Sequence, residues 1–182
     1  MKSTTASRTV SARTRSTNRP GQPTPTPARE PDAHPSSEGS RTGKRILLAD
    51  DDPTVRDSLS NVLTAEGYFV IPAENGQQAL DLANRLPVDL ALLDLNMPVM
   101  NGWDTFWQLT GEHPLIPVII TTARPNQLFA AVGAGVGALL EKPMDIPTLL
   151  RTIERLLAES AETRLDRLAG LKTDFHYSAA RT

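Results

Sequence analysis

Between residues 44 and 158, short apolar runs alternate with longer amphipathic segments, and this alternation constrains the fold more than any other feature. The apolar runs predict five β-strands, which lie at residues 45–49, 68–72, 89–94, 117–121 and 138–141. The helix-length segments lie at residues 53–66, 76–86, 102–110, 126–132 and 145–158. Strands and helices that alternate at this spacing predict a parallel sheet with right-handed crossover connections.

Two of the predicted strands contain continuous apolar runs, at residues 46–48 and 90–93. Parallel strands that are covered by helices on both faces have this composition, because neither face meets water. The chain is therefore predicted to have an α/β fold, with a doubly wound parallel sheet and helices on both faces.

The N-terminal part of the chain differs in composition from this central part. Residues 1–43 are rich in Ser, Thr, Pro and Arg. They hold too few apolar residues to offset the entropy lost on ordering, so we predict a disordered basic tail. The charge is divided unevenly, because residues 1–45 carry nine of the 19 Lys and Arg residues but three of the 21 acidic residues.

The C-terminal part is predicted to extend the domain rather than to form a second one. Residues 44–158 make up the predicted domain, and residues 159–182 are predicted as a helical extension with a frayed end. Leu165, Leu168 and Leu171 would continue the apolar face of the fifth helix. No helix-turn-helix or other output module is recognisable after the domain.

The composition excludes several classes of function. The chain has no cysteine, which excludes disulfides, thiolate metal sites and thiol chemistry. No apolar run has the length of a membrane span and no signal peptide is visible, so we expect a cytoplasmic protein without a membrane partner. The net charge of −2 indicates no overall affinity for nucleic acid. Nucleic-acid binding through the basic tail stays open, and a steep salt dependence would reveal it.

Polar residues collect at the carboxyl ends of the predicted strands, which is where doubly wound sheets bind ligands. Asp50 and Asp51 follow the first strand, and Asp94 closes the third. Thr122 follows the fourth strand and Lys142 the fifth. Carboxylates gathered at one edge need a cation, and oxygen ligands without Cys or His favour Mg²⁺. An Asp carboxylate can act as a nucleophile in phosphoryl transfer, with Lys and Thr side chains contacting the phosphoryl oxygens.

Each of these residues also has an ordinary structural interpretation. The acidic run can be a turn and a helix cap, and Asp94 can be a loop residue that ends a strand. Thr122 can be an ordinary strand residue, and Lys142 can be a solvated surface residue. Their joint occurrence at four strand ends favours a common site over these separate explanations.

The motifs that carry these residues resemble those of the receiver domains of two-component response regulators. The motifs are ILLADDDP at residues 46–53, DLNMPVMNG at 94–102, TA at 122–123 and EKP at 141–143. The resemblance implies a flavodoxin-like sheet of five strands in the order 2-1-3-4-5. It also implies a stand-alone switch like the chemotaxis regulators, which assists its own phosphorylation and dephosphorylation and is not otherwise an enzyme.

The resemblance assigns a role to each residue at the acidic edge. Asp94 would accept a phosphoryl group from the phosphohistidine of a histidine kinase or a phosphotransfer protein. Asp50, Asp51, Asp94 and the backbone carbonyl of Asn96 would hold the Mg²⁺ ion that this transfer requires. The phosphoryl group would then switch the binding of a downstream protein that the sequence does not identify.

The resemblance also covers the residues around the lysine. Thr122 and Lys142 would contact the phosphoryl group, and the Lys142-Pro143 peptide bond would be cis. A partner would bind the face formed by helix four, strand five and helix five. In the family an aromatic residue often stands three positions before the lysine, whereas this chain has Leu139 there and Met144 after the proline.

Two alternatives remain for the whole site. The first is a pseudo-receiver that binds its partner independently of phosphorylation, and Leu139 favours it. The second is a phosphotransfer enzyme of the haloacid dehalogenase type, which also uses an aspartyl nucleophile. That enzyme needs a second Asp two positions after the nucleophile, and Asn96 occupies this position.

Overall fold

The computed structural model describes residues 43–124, 126–172 and 174–180. The predicted disordered tail at residues 1–43 lies outside the described residues except for Gly43. The strands are β1 Arg45–Ala49, β2 Phe69–Ala73, β3 Leu90–Asp94, β4 Val118–Thr122, β5 Ala138–Glu141 and β6 His176–Ser178. The helices are α1 Pro53–Ala65, α2 Gly76–Arg85, α3 Gly102–Glu112, α4 Leu128–Ala134, α5 Ile146–Leu157 and α6 Ala161–Leu168.

The strands form one parallel sheet in the order β2-β1-β3-β4-β5-β6. The predicted α/β class and the order of the first five strands are confirmed. The prediction of five strands with a frayed C-terminus is wrong in one respect, because residues 176–178 pair with β5 as a sixth strand. A strand of three residues is too short to show an alternating pattern in the sequence, so its pairing partner decides its structure.

Alternate residues of the buried strands belong to two different hydrophobic clusters. Leu47 and Ala49 pack on the side of α2, α3 and α4, whereas Ile46 and Leu48 pack on the side of α1 and α5. All four side chains are at most 1% exposed. Burying a Leu or Ile side chain contributes about 1.5–3 kcal/mol, so the apolar strands anchor both layers of helices.

Side-chain caps begin most of the helices. Asp52 caps α1 by accepting a hydrogen bond from the backbone N–H of Thr54, and Pro53 occupies the first helical turn, as the sequence predicts. Four further helices begin in the same way, with the caps Asn75, Asn101, Asp145 and Ser160. These caps set where each helix leaves the sheet edge. In the part of the chain that the structure describes, no helix has the length and apolar character needed to cross a membrane.

The helical extension buries different residues from those that were predicted. Helix α5 ends at Leu157, and α6 starts again after Ser160. The buried residues of α6 are Arg164 and Arg167, whereas Leu165 is 45% exposed. Because the helix breaks between α5 and α6, the apolar face of α5 does not continue along α6. The guanidinium groups meet backbone carbonyls, so the arginines are buried in place of an apolar stripe.

Candidate functional site

Asp94 closes β3, the central strand of the acidic edge, and only 2% of its surface is exposed. Its Oδ2 atom accepts a hydrogen bond of 2.6 Å from the backbone N–H of Asn96. Its Oδ1 atom lies 2.7 Å from Nζ of Lys142. The carboxylate is thus held on both oxygens by donors, which fixes its orientation.

Lys142 joins the two buried carboxylates at this edge. Its Nζ atom lies 2.7 Å from Oδ2 of Asp50 and 2.7 Å from Oδ1 of Asp94. Its backbone N–H donates to the carbonyl of Thr122, and its peptide bond with Pro143 is cis, as the resemblance implies. Burial alone would lower the pKa of Lys142. The hydrogen bonds and charges of Asp50 and Asp94 outweigh burial and raise this pKa above its ordinary value.

Asp50 is held as firmly as Asp94, whereas its neighbour Asp51 is exposed. Asp50 is 1% exposed, and its Oδ1 atom accepts from the backbone N–H of Asp52 at 3.1 Å. The Nη1 atom of Arg56 donates to the backbone carbonyl of Asp50 at 2.7 Å. The sequence reasoning missed Arg56. Its place in the first turns of α1, six residues after Asp50, is the signal that could have identified it.

Thr122 ends β4 and is 1% exposed. Its hydroxyl oxygen accepts a hydrogen bond of 2.9 Å from the backbone N–H of Arg124. A hydroxyl that accepts in this way keeps its own proton for donation to an anion. The structure therefore places Thr122 at the same sheet edge, with its hydroxyl oriented by the following loop.

The oxygen ligands at this edge match the chemistry of Mg²⁺, which binds carboxylate and carbonyl oxygens. Asp50 and Asp94 supply buried carboxylates, and Asp51 supplies an exposed one at the end of the same strand. Among the described residues, no group of three or more acidic or histidine side chains is already arranged to hold a metal ion. In this arrangement the ammonium of Lys142 offsets one of the two negative charges of Asp50 and Asp94.

Gly102 allows the first turn of α3 to approach the backbone beneath the site. A Cβ atom at this position would lie 2.3 Å from the carbonyl oxygen of Asp94 and 2.8 Å from Cα of Leu95. Atoms cannot approach so closely, so a residue without a side chain is required here. The resemblance implies a glycine in the loop after Asp94, and this close approach is its physical reason.

A cleft opens next to Asp94 between the β3–α3 loop and the β4–α4 loop. Asn96, Trp103, Asp104 and Arg124 are among the residues that line it. The indole N–H of Trp103 donates to the side chain of Gln127 at 3.3 Å, which connects α3 with the start of α4.

Leu139 occupies the position where the resemblance implies an aromatic residue. Its side chain is completely buried in the cluster between the sheet and α2, α3 and α4. It therefore acts as a core residue and does not reach the surface of β5. Met144 is partly buried and packs against the other cluster, on the side of α1 and α5.

The fold and the site together define an α/β receiver: a doubly wound sheet with buried acids and a lysine at its carboxyl edge. The description "Response regulator receiver domain" matches residues 46–154 of the chain. Because this match covers more than half of the sequence, the chain belongs to the family of response regulator receiver domains of two-component systems.

Several curated proteins are similar to this chain. PilH from Pseudomonas aeruginosa is 41% identical over 118 residues, which cover 63% of this chain and 98% of PilH. CpxR from Escherichia coli is 42% identical over 118 residues, which cover 64% of this chain and 50% of CpxR. GlrR from Escherichia coli is 41% identical over 118 residues, or 64% of this chain and 27% of GlrR. The chain thus spans half or less of these two transcriptional regulatory proteins.

Solved structures show the same fold. A CheY-like receiver domain protein from Methanospirillum hungatei has a TM-score of 0.62 at 30% identity, covering 67% of this chain and 98% of that one. TrrA from Thermotoga maritima, solved in complex with Mg²⁺ and BeF, has a TM-score of 0.59 at 28% identity. It covers 62% of this chain and 98% of its own.

Proposed function

We propose that this receiver is a phosphorylation switch in which Asp94 accepts a phosphoryl group from the phosphohistidine of a histidine kinase or a phosphotransfer protein. One observation carries the proposal. The carboxylate of Asp94 is 2% exposed, and it is held between the N–H of Asn96 and the ammonium of Lys142. Nucleophile and positive charge therefore already lie together at the carboxyl edge of the sheet, as phosphoryl transfer to a carboxylate requires.

The proposed step moves the phosphoryl group from a histidine nitrogen of the donor to an oxygen of Asp94. A carboxylate oxygen of Asp94 forms a bond to phosphorus while the phosphorus–nitrogen bond of the donor breaks. The imidazole leaves with the bonding electrons and takes up a proton. Lys142 exchanges part of its contact with Asp94 for a phosphoryl oxygen, and the Thr122 hydroxyl donates a hydrogen bond to another phosphoryl oxygen.

The proposal includes Mg²⁺ as the cofactor, with Asp50, Asp51, Asp94 and the carbonyl of Asn96 as its ligands. When bound, the ion would supply positive charge that stabilises the phosphoryl oxygens during transfer. The similar receiver TrrA was solved in complex with Mg²⁺ and BeF, which supports this cofactor for the present chain. Hard oxygen ligands at the edge support it independently.

We further propose that phosphorylation switches the binding of a downstream protein, in the cytoplasm and without a membrane or nucleic-acid partner. Residues 44–158 carry this function in the proposal. Beyond assisting its own phosphorylation and dephosphorylation, the chain would have no separate catalytic activity.

Labelling with a small phosphoryl donor tests the proposal directly. The chain is incubated with phosphoramidate, with and without Mg²⁺, and its intact mass is measured. We expect the wild type to gain one phosphoryl group only with Mg²⁺, and Asp94→Asn to gain none. Asp81→Asn is the matched control, because it changes an exposed acid on α2 that does not line the cleft, and it should leave labelling intact.

Two results would contradict the proposal: no Mg²⁺-dependent adduct on the wild type, or an equal adduct on Asp94→Asn. The buried Leu139 favours one alternative, the phosphorylation-independent pseudo-receiver. Partner affinity that is the same with and without beryllofluoride, a phosphoryl mimic, would support this alternative.

A further inference from the structure

The outer edge of β5 is covered by the C-terminal strand of the same chain. Strand β6 pairs in parallel with β5, placing His176 opposite Ala138, Tyr177 opposite Leu139 and Ser178 opposite Leu140. An uncovered edge strand exposes unpaired N–H and C=O groups, which another extended segment can bind. In this structure β6 occupies that position.

Glu141 holds β6 in place through both of its carboxylate oxygens. The hydroxyl of Tyr177 donates to Oε1 at 2.8 Å, and the backbone N–H of Ala180 donates to Oε2 at 3.2 Å. At the other end of the segment, Asp174 lies 3.3 Å from Nη1 of Arg155 on α5. Two further contacts lie deeper: Phe175 packs against the core, and the carbonyl of Asp174 accepts a hydrogen bond of 3.3 Å from the buried Arg167.

The main anchor of β6 is adjacent in sequence to the site at Asp94. Glu141 directly precedes Lys142, whose Nζ atom contacts Asp94 and whose backbone N–H donates to Thr122. A phosphoryl group on Asp94 would draw Lys142 into new contacts. Any shift of the Lys142 backbone would also move Glu141, and with it the two hydrogen bonds to β6.

Few contacts would have to break for β6 to leave β5. The pairing covers three residues, and the backbone bond from His176 to Gly137 is long, at 3.4 Å. The segment before it leaves α6 at Gly170, whose φ of 73° ends the helix. Helix α6 has buried anchors of its own in Arg164 and Arg167. The hydrogen bond of 3.3 Å from Arg167 to the carbonyl of Asp174 also has to break for β6 to leave.

We propose that the edge of β5 is a docking surface for an extended segment of a partner protein, that β6 occupies it in the unphosphorylated chain, and that phosphorylation of Asp94 releases β6. This proposal rests on the function proposed above, because it makes the phosphoryl group at Asp94 the signal. In this proposal the chain's own β6 covers the edge of β5 until Asp94 is phosphorylated.

The bound β6 shows what chemistry the partner segment must have. The segment runs parallel to β5 and adds a strand to the sheet by main-chain hydrogen bonds. It carries a hydroxyl or another donor that reaches Glu141, as Tyr177 does, and an acid three residues earlier that pairs with Arg155, as Asp174 does. Side chains at these two positions supply the specificity.

A labelled peptide with the sequence of residues 174–180 serves as the probe, and the full chain serves as the receptor. Covalent attachment gives β6 an effective concentration in the millimolar range, so the peptide should bind poorly to the unmodified chain. With beryllofluoride and Mg²⁺ we expect binding to tighten about fivefold or more, measured by fluorescence anisotropy. Amide hydrogen exchange of residues 174–180 should rise under the same conditions.

Two variants of the chain separate the docking surface from its regulation. Tyr177→Phe removes one hydrogen bond of β6 at a position that is 39% exposed, so the fold should persist. We expect the wild-type peptide to bind this variant about fivefold more tightly without beryllofluoride, because one hydrogen bond no longer competes. Glu112→Gln is the control, since its carboxylate accepts from Asn84, and it should match the wild type.

The outcomes also separate this proposal from the function it rests on. If phosphoramidate labels Asp94 but beryllofluoride changes neither peptide binding nor exchange, the release of β6 is refuted and the phosphorylation switch stands. If no adduct forms on Asp94, the switch and its control of β6 are both refuted. If Tyr177→Phe leaves peptide binding unchanged, the docking surface itself is refuted.

Discussion

Replacing Lys142 with Met tests how strongly the buried charges at the site depend on one another. The substitution keeps most of the apolar stem but removes the ammonium that lies 2.7 Å from both Asp50 and Asp94. The two carboxylates are then buried, at 1% and 2% exposure, without their positive partner. Removing one member of a buried ion pair costs about 3–5 kcal/mol. Because the Lys142 side chain is 21% exposed, we expect the lower end, about 3 kcal/mol at pH 7.

The cost should depend on pH in a defined direction. Neutralising an ordinary Asp carboxylate costs about 4 kcal/mol at pH 7 and about 1.5 kcal/mol at pH 5. At pH 4 this neutralisation costs almost nothing, so the variant can relieve the repulsion by binding one proton, and its loss of stability should fall to the roughly 1–2 kcal/mol of the one carboxylate that stays charged. In the Asp94→Asn background one carboxylate remains, so Lys142→Met should cost about 1–2 kcal/mol even at pH 7.

Urea denaturation followed by tryptophan fluorescence measures these free energies of unfolding. Lys44→Met is the matched control, because Lys44 pairs with Asp89 at the surface, where 43% of the lysine side chain is exposed. Its cost should stay below about 1 kcal/mol. A loss for Lys142→Met that is no larger than the loss for Lys44→Met would refute the reasoning, as would a loss that does not change with pH.

Three further predictions follow from the same site. Thr122→Ala should fold normally but slow phosphoramidate labelling of Asp94 by about tenfold or more, because one donor to the phosphoryl oxygens is lost; an unchanged labelling rate would contradict this. Gly102→Ala places a Cβ atom 2.3 Å from the Asp94 carbonyl; it should cost about 1–3 kcal/mol in urea denaturation and reduce labelling. The raised pKa of Lys142 stabilises the wild type fully below 10.5, and this contribution is lost as the pH rises through the higher folded value. Unfolding measured from about pH 9 to about pH 12 should therefore show a steeper loss for the wild type than for Lys142→Met.

Much of the fold was accessible from local patterns in the sequence. The bounds of β1 and β5 are those predicted, and Asp52 caps α1 as expected. Helix α4 was placed two residues too early at its start. Asn126 adopts a φ of 63°, which a helical residue does not, and the helix begins at Leu128. Such a backbone conformation is set by the loop around it and leaves no apolar pattern to recognise.

The residues of the site could also be predicted from local sequence patterns. Asp50, Asp94 and Lys142 follow apolar runs, and parallel strands bring their carboxyl ends to one edge of the sheet. The structure places these three side chains in contact. Arg56 was missed because it reaches the site through the backbone carbonyl of Asp50, which no sequence pattern marks. The assigned roles in phosphoryl transfer and metal binding stay predictions that the labelling experiment tests.

The sequence by itself determined the alternation of strands and helices, the two-sided burial of the strands, and the collection of acids and lysine at one edge. These features depend on hydrophobic spacing over a few residues, so they can be recognised without coordinates. Only the tertiary structure decided that β6 closes the sheet and that α6 buries arginines. A three-residue strand is stabilised by the edge it pairs with, and a buried guanidinium by the carbonyls it meets, such as Gly135 for Arg167. Both depend on partners far away in the sequence, which only the folded chain brings together.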